Sequence, residues 1–73
     1  MDNIITKMIK LRKMSGLNNT ELSQALGQNS DYVSRIEEGR KTIRLNDVTL
    51  YARYFKVSVN WLIGLEDDYD AKP

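Results

Sequence analysis

Two short helical patterns that meet at a glycine-containing break constrain this chain more than any other feature. They lie between Asn18 and Gly39, and Gly27 marks the break between them. Apolar residues recur at helical spacing on both sides of the break: Leu22, Ala25 and Leu26 before it, and Val33 and Ile36 after it. A break of about three residues leaves room only for two helices that meet at a sharp angle. The second helix is then free to present polar side chains to a groove.

The composition excludes several function classes. The 73 residues form one small domain at most. They include neither cysteine nor histidine, so we expect no zinc site and no Ser-His or Cys-His catalysis. There is no glycine loop of the phosphate-binding type, and no clustered carboxylate site that would support catalysis. We therefore predict a protein that is not an enzyme and that has no cofactor, metal or small-molecule ligand.

The sequence also lacks membrane and export signals. No stretch approaches the roughly 20 apolar residues that span a bilayer. The N-terminus does not carry a basic region followed by a long apolar run, which a signal peptide requires. We expect a cytoplasmic protein with no membrane partner.

Charge is distributed unevenly along the chain. The net charge of +1 combines a basic part, with ten Lys and Arg against six Asp and Glu in residues 1–65, and an acidic part, with four acids and one Lys in residues 66–73. A moderately basic domain favours nucleic acid as a partner, although an ordinary solvated surface has the same composition. We predict a folded domain over 1–65 and a flexible acidic tail over 66–73.

The periodicity predicts five helices and no strand, over residues 2–14, 19–26, 30–38, 46–55 and 59–63. The expected N-caps are Asp2 or Asn3, Asn18 with Glu21 in a capping box, Asn29, Asn46 or Asp47, and Ser58. In the first helix, Met8 and Met14 are expected in the core and Lys7 on another face. The predicted inward face of the fourth helix consists of Leu45, Val48, Tyr51, Ala52 and Phe55.

At this point the chain resembles the lambda-repressor-like, Cro/C1-type helix-turn-helix family. The residues that carry the resemblance are spread over 4–64: Leu11-Arg12, Gly16-Leu17, Leu22-Ser23, Gly27, Val33-Ser34-Arg35-Ile36-Glu37, Gly39, Ala52 and Val57-Ser58-Val59-Asn60-Trp61-Leu62. The resemblance implies a compact all-α fold of five helices. It also implies a regulator of transcription, most often a repressor, that binds a palindromic operator as a homodimer.

The sequence departs from this family where its DNA contacts usually begin. Asn18-Asn19 stand where the family often has Thr-Gln, and Gln28 replaces a small apolar residue after the turn glycine. Asp31 places an acid where a base-reading residue would sit.

The candidate base-contacting residues are Ser30, Asp31, Ser34 and Arg35. The N-terminal turn of a recognition helix normally reaches the bases, and Arg35 lies four residues beyond Asp31 on the same face. An arginine can bind guanine through O6 and N7, so we predict that Arg35 is the main base reader. The alternative is an ion pair between Arg35 and Asp31 on a solvated face. Ser34 could equally face solvent.

The candidate phosphate-contacting residues flank that row: Asn19, Tyr32, Arg40, Lys41 and Arg44. Three of them are cations in the loop after the recognition helix. The alternative for the loop is three scattered surface charges, and the alternative for Tyr32 is a partly packed aromatic ring.

Two further groups have structural predictions. The resemblance implies that Arg12 and Glu37 form an ion pair joining the first helix to the recognition helix. Val59, Trp61 and Ile63 are candidates for a dimer interface, which Leu50 and Tyr54 could extend. A core-only role for Trp61 remains the alternative.

A second function is also compatible with the sequence. An antitoxin-type regulator would use this domain to bind a protein partner, with the acidic residues from Glu66 to Asp70 engaging a basic surface. Salt-dependent binding to duplex DNA distinguishes the two functions.

Overall fold

The structure is a computed structural model that describes residues 4–65. Five helices and no strands occur in this part of the chain, as predicted: α1 Ile4–Ser15, α2 Asn19–Ala25, α3 Tyr32–Glu37, α4 Leu45–Phe55 and α5 Val59–Leu62. The predicted caps Asp2 and Asn3 and the acidic tail 66–73 lie outside the described residues. No helix within 4–65 is both long enough and apolar enough to cross a membrane.

One hydrophobic core joins all five helices. Its buried side chains are Met8, Leu11, Leu22, Leu26, Tyr32, Val33, Ile36, Val48, Tyr51, Ala52, Trp61 and Leu62. Most of them follow the predicted periodicity, since a helix buries one stripe of residues three and four apart.

Helix α1 corrects two predictions. Lys7 is buried, and its Nζ donates a hydrogen bond to the Trp61 carbonyl and lies 4.9 Å from the Trp61 ring centroid. The reason is that position 7 lies on the core stripe between Ile4 and Leu11, where the aliphatic stem packs while the ammonium finds a carbonyl. Met14 was predicted in the core but is 64% exposed, because it lies in the last turn at the edge of that stripe.

Helix α2 begins as predicted. The Glu21 N–H donates to Asn18 Oδ1 at 2.8 Å, and the Asn18 N–H donates to Glu21 Oε1 at 2.9 Å, which completes the capping box. The chain reverses direction after α2 at Gly27, whose φ of +75° is accessible to glycine at little cost. The turn places α3 directly against α2.

Helix α3 begins later than predicted. Its N-cap is Asp31, whose side chain makes no capping bond. Asn29, the predicted cap, contributes only its carbonyl, which accepts the Tyr32 N–H at 3.0 Å. Residues 30 and 31 form a turn before the helix, so Ser30 precedes the recognition helix instead of opening it.

Helix α4 begins at Leu45, with Arg44 at the N-cap, so the predicted caps Asn46 and Asp47 lie inside its first turn. Asp47 still stabilises the N-terminus of α4, because its Oδ2 accepts the Arg44 N–H at 2.9 Å. Leu45 was predicted to face inward but is 70% exposed, since a first-turn residue two positions before the buried Asp47 points away from the core. Helix α5 has the expected cap, in which Ser58 Oγ accepts the Trp61 N–H at 3.2 Å.

Candidate nucleic-acid interface

A buried serine sets the contact between α2 and α3. Ser23 is fully buried, and its hydroxyl donates to the Asn19 carbonyl at 2.8 Å and accepts the Val33 N–H at 2.9 Å. The hydroxyl thereby satisfies one of the N–H groups that the first turn of α3 cannot pair within the helix. This role of Ser23 is not evident from the sequence. The local sequence shows only that Ser23 is a small polar residue next to the core residue Leu22.

A hydrogen bond also joins the two helices at the predicted DNA-facing surface. The Asn19 side-chain amide donates to Ser34 Oγ at 3.0 Å, and both residues are half-buried. The bond leaves the side-chain oxygen of Asn19, Oδ1, and the second N–H of its amide without a partner among the described residues. Asn19, predicted to contact phosphates, and Ser34, predicted to contact bases, therefore lie next to each other.

Arg35 and Asp31 remain unpaired in residues 4–65. Both side chains are exposed, and the ion pairs in this range are Arg12–Glu37, Arg40–Glu38 and Lys41–Asp47. The alternative ion pair between Asp31 and Arg35 is thus not formed. The Arg35 side chain is therefore exposed on α3 without an ion pair to another described residue.

Tyr32 does not stand on this surface. Its side chain is buried, and its hydroxyl donates to Asp47 Oδ1. Burial, followed by the hydrogen bond to Asp47 and the charge of Asp47, raises the pKa of Tyr32 far above its ordinary value. The structure therefore corrects the phosphate contact predicted for Tyr32 and matches the alternative, a packed aromatic ring.

Asp47, in the first turn of α4, accepts hydrogen bonds from three donors. Besides the Tyr32 hydroxyl and the Arg44 N–H, it faces Lys41, whose Nζ lies 3.1 Å from Oδ2. Burial opposes the charged carboxylate, but the hydrogen bonds from Tyr32, Arg44 and Lys41 and the charge of Lys41 outweigh it and lower the pKa of Asp47. An ionised aspartate is therefore held between the loop and the start of α3.

The three cations of the loop are not equivalent. The side chain of Lys41 is only 22% exposed and lies against Asp47, with Nζ 5.9 Å from the Tyr32 ring centroid. Arg40 is exposed and pairs with Glu38 at 2.8 Å, where both side chains are 58% exposed. The exposed Arg44 guanidinium has no hydrogen bond or ion pair with the described residues.

The Arg12–Glu37 ion pair is present and joins α1 to the end of α3. Arg12 Nε donates to Glu37 Oε2 at 2.7 Å, and Nη2 donates to Oε1 at 3.3 Å. The remaining nitrogen, Nη1, donates to the Leu17 carbonyl at 3.1 Å. The two side chains are 15% and 10% exposed, so this pair is shielded from water far more than Arg40–Glu38.

The residues predicted for a dimer interface separate into two groups. Trp61 is buried under α1, which corrects its assignment to an interface and matches the core alternative. Ile63 is 46% exposed and Val59 is half-buried. Other exposed apolar side chains near the ends of α4 and α5 are Tyr54 and Leu65.

Comparisons with known proteins agree with this arrangement. The crystal structure of the P22 c2 repressor protein in complex with synthetic operator 9T in the presence of Tl⁺ matches the fold with a TM-score of 0.75. The match covers 90% of this chain and 100% of that chain at 12% sequence identity, so the likeness concerns the fold. Among curated proteins, sequence comparison finds no significant match.

A family model provides the sequence-level evidence. The HTH_3 helix-turn-helix model matches residues 8–62, which span α1 to α5. The matched range includes the α2–α3 pair and the residues on which the resemblance rested. The chain belongs to the Cro/C1-type helix-turn-helix family of DNA-binding transcription regulators.

Proposed function

We propose that this protein is a repressor that binds a palindromic operator in double-stranded DNA as a homodimer, with α3 in the major groove. The observation that carries the proposal is the open face of α3. Arg35 on this helix and Asp31 at its N-cap are exposed and have no partner among the described residues, and the half-buried Ser34 is bonded to Asn19. An unpaired guanidinium beside small polar groups is suited to reading base edges.

The base contacts follow from the chemistry of this face. Arg35 donates to O6 and N7 of a guanine, and Asp31 accepts from the amino group of a neighbouring cytosine. Ser34 is already bonded to Asn19, so Asn19 orients it. Ser30 lies before the helix and contacts the base or backbone nearest to the turn.

The phosphate contacts come from both sides of α3. Asn19 has a side-chain amide N–H and its Oδ1 oxygen available on one side. Arg44 has a free guanidinium on the other, and Arg40 can exchange its exposed Glu38 partner for a phosphate because a surface ion pair is weak. Phosphate contacts fix the position of the protein on the duplex, and the base contacts supply the sequence preference.

Exposed apolar residues favour the homodimer. Ile63 at the C-cap of α5, together with Tyr54 and Leu65, presents exposed apolar surface, and the half-buried Val59 lies at the edge of the core. A homodimer that binds a palindromic operator needs its two α3 helices in successive major grooves, about 34 Å apart. The structural likeness to a repressor crystallised with an operator supports DNA as the partner of this fold.

Selection of bound sequences from random duplexes tests the proposal. Wild-type protein should enrich a palindrome, and Arg35→Ala should relax the preference at one position per half-site, at a cost of roughly 1–3 kcal/mol. Arg53→Ala, which removes another exposed arginine in the last turn of α4, is the matched control and should retain the preference.

Two outcomes would contradict the proposal. Absence of duplex binding at 50 mM salt would leave the protein-interaction function as the better account. An unchanged preference in Arg35→Ala would remove Arg35 as the base reader while leaving DNA binding itself intact.

A further inference from the structure

The loop after α3 contains a cation that the protein already uses. Lys41 Nζ lies 3.1 Å from Asp47 Oδ2, and the two side chains are 22% and 6% exposed. The aliphatic part of Lys41 leads its ammonium toward the Tyr32 ring, at 5.9 Å from the centroid. Lys41 therefore faces the junction of α3 and α4 instead of the solvent.

The carboxylate of Asp47 needs this cation. Its Oδ1 is occupied by the Tyr32 hydroxyl, and its Oδ2 also accepts the Arg44 N–H. These neutral donors satisfy its hydrogen bonds, but only Lys41 among the described residues provides an opposite charge to Asp47. If Lys41 moved to a phosphate, it would leave a buried carboxylate without its counter-charge, which is costly.

Neither of the neighbouring cations, Arg40 and Arg44, neutralises a buried carboxylate. Arg44 has its guanidinium free, and the Glu38 partner of Arg40 is itself 58% exposed. A phosphate that approaches the loop therefore competes with water at Arg44 and with a weak surface pair at Arg40. At Lys41 it competes with a shielded aspartate.

We propose that Asp47 is a positioning residue that withholds Lys41 from DNA, so that only Arg40 and Arg44 of this loop neutralise phosphates. The inference rests on the proposed DNA binding. It assigns Asp47 and Lys41 a role that differs from the phosphate contact predicted for Lys41. The ion pair also fixes the loop against the start of α3, which determines where Arg40 and Arg44 stand.

The salt dependence of DNA binding measures how many cations of the loop neutralise phosphates. Each neutralised phosphate contributes about −0.9 to the slope of log K against log salt concentration on B-DNA. Binding of the full chain to one duplex from the selection is measured at several salt concentrations for wild type, Lys41→Met and Arg44→Met. Methionine keeps the aliphatic stem in each case and removes only the charge.

The expected result separates the two matched variants. Arg44→Met should make the slope per protomer shallower by about 0.9, whereas Lys41→Met should leave the slope unchanged even where its affinity falls. An affinity loss without a change in slope identifies positioning, because a lost phosphate contact changes both. A slope that Lys41→Met reduces as much as Arg44→Met does would overturn the inference without affecting the proposed function.

The variant Asp47→Asn gives an independent test. Asparagine keeps an acceptor for Tyr32 and Arg44 but releases Lys41, so the slope should become steeper by about 0.9. Adding Lys41→Met to Asp47→Asn should return the slope to the wild-type value. An unchanged slope in a folded Asp47→Asn protein would overturn the inference. Thermal denaturation shows whether this variant folds. If it does not fold, the comparison of Lys41→Met with Arg44→Met decides alone. Wild-type protein that binds no duplex would instead refute the proposed function.

Discussion

The hydroxyl of Tyr32 donates a hydrogen bond to the carboxylate of Asp47, which ties the first residue of α3 to the first turn of α4. Both residues are buried. Arg12 and Glu37 tie the other end of α3 to α1. The recognition helix is therefore held at both ends by polar contacts, and the apolar core supports it in between.

Tyr32→Phe should destabilise the protein, because it removes one donor from a buried carboxylate. Hydrogen bonds to charged groups contribute roughly 1.5–3 kcal/mol, and Asp47 retains two other donors, so we expect a loss toward the lower end of that range. Chemical denaturation of the two proteins measures the difference.

Tyr51→Phe is the matched comparison. Tyr51 is buried like Tyr32, and more completely, but its hydroxyl has no hydrogen-bond partner among the described residues. Removing an unpaired buried hydroxyl should leave stability unchanged or raise it by a few tenths to about 1 kcal/mol. Equal losses in the two variants would show that the missing hydroxyl atom and its packing contacts, and not the bond to Asp47, account for the effect of Tyr32→Phe.

Stability should depend on Asp47 in acid. The hydrogen bonds from Tyr32, Arg44 and Lys41 outweigh burial and hold the pKa of Asp47 below its ordinary value. The folded state therefore binds this proton less readily than the unfolded chain, so the contribution is complete above the unfolded pKa, near 3.9. It is lost as the pH falls through the lower folded pKa.

Unfolding measurements from pH 6 to pH 2 check this prediction. The stability difference between wild type and Asp47→Asn should be largest at pH 5–6 and should shrink below about pH 4. A difference that stays constant over the whole range would show that the charge of Asp47 does not contribute.

The Arg12–Glu37 pair should be coupled far more strongly than the surface pair Arg40–Glu38. Breaking a buried pair by removing one partner costs roughly 3–5 kcal/mol, and we expect Arg12→Met and Glu37→Gln to approach this range because both side chains are at most 15% exposed. A double-mutant cycle at the exposed pair Arg40–Glu38 should give a coupling energy of only about 0–1 kcal/mol. Similar coupling energies in the two double-mutant cycles would contradict the assigned role.

Ser23→Ala should loosen the junction of α2 and α3. The substitution leaves the buried Val33 N–H without its acceptor, which costs about 1–3 kcal/mol. Thermal denaturation should show a lower Tm, and amide exchange at Val33 should accelerate. Ser15→Ala, which removes an exposed serine hydroxyl at the end of α1, is the control and should change the Tm little.

Local sequence signals predicted much of this fold correctly. The number and order of the helices, the Asn18–Glu21 capping box and the Ser58 cap all depend on residues three or four positions apart, so the sequence displays them directly. The family pattern also indicated the Arg12–Glu37 pair, whose partners lie 25 positions apart.

The sequence by itself therefore determined the five helices, the sharp α2–α3 turn at Gly27 and the polar residues around the start of α3. Only the tertiary structure decided that Tyr32 and Trp61 belong to the core, that Ser23 joins two helices, and that Lys41 serves Asp47. The physical reason is that each of these roles depends on a partner from another segment, such as Asp47, which lies 15 positions beyond Tyr32. Periodicity shows which side chains share a face of a helix, but packing determines which edge of that face is covered and which charge remains free.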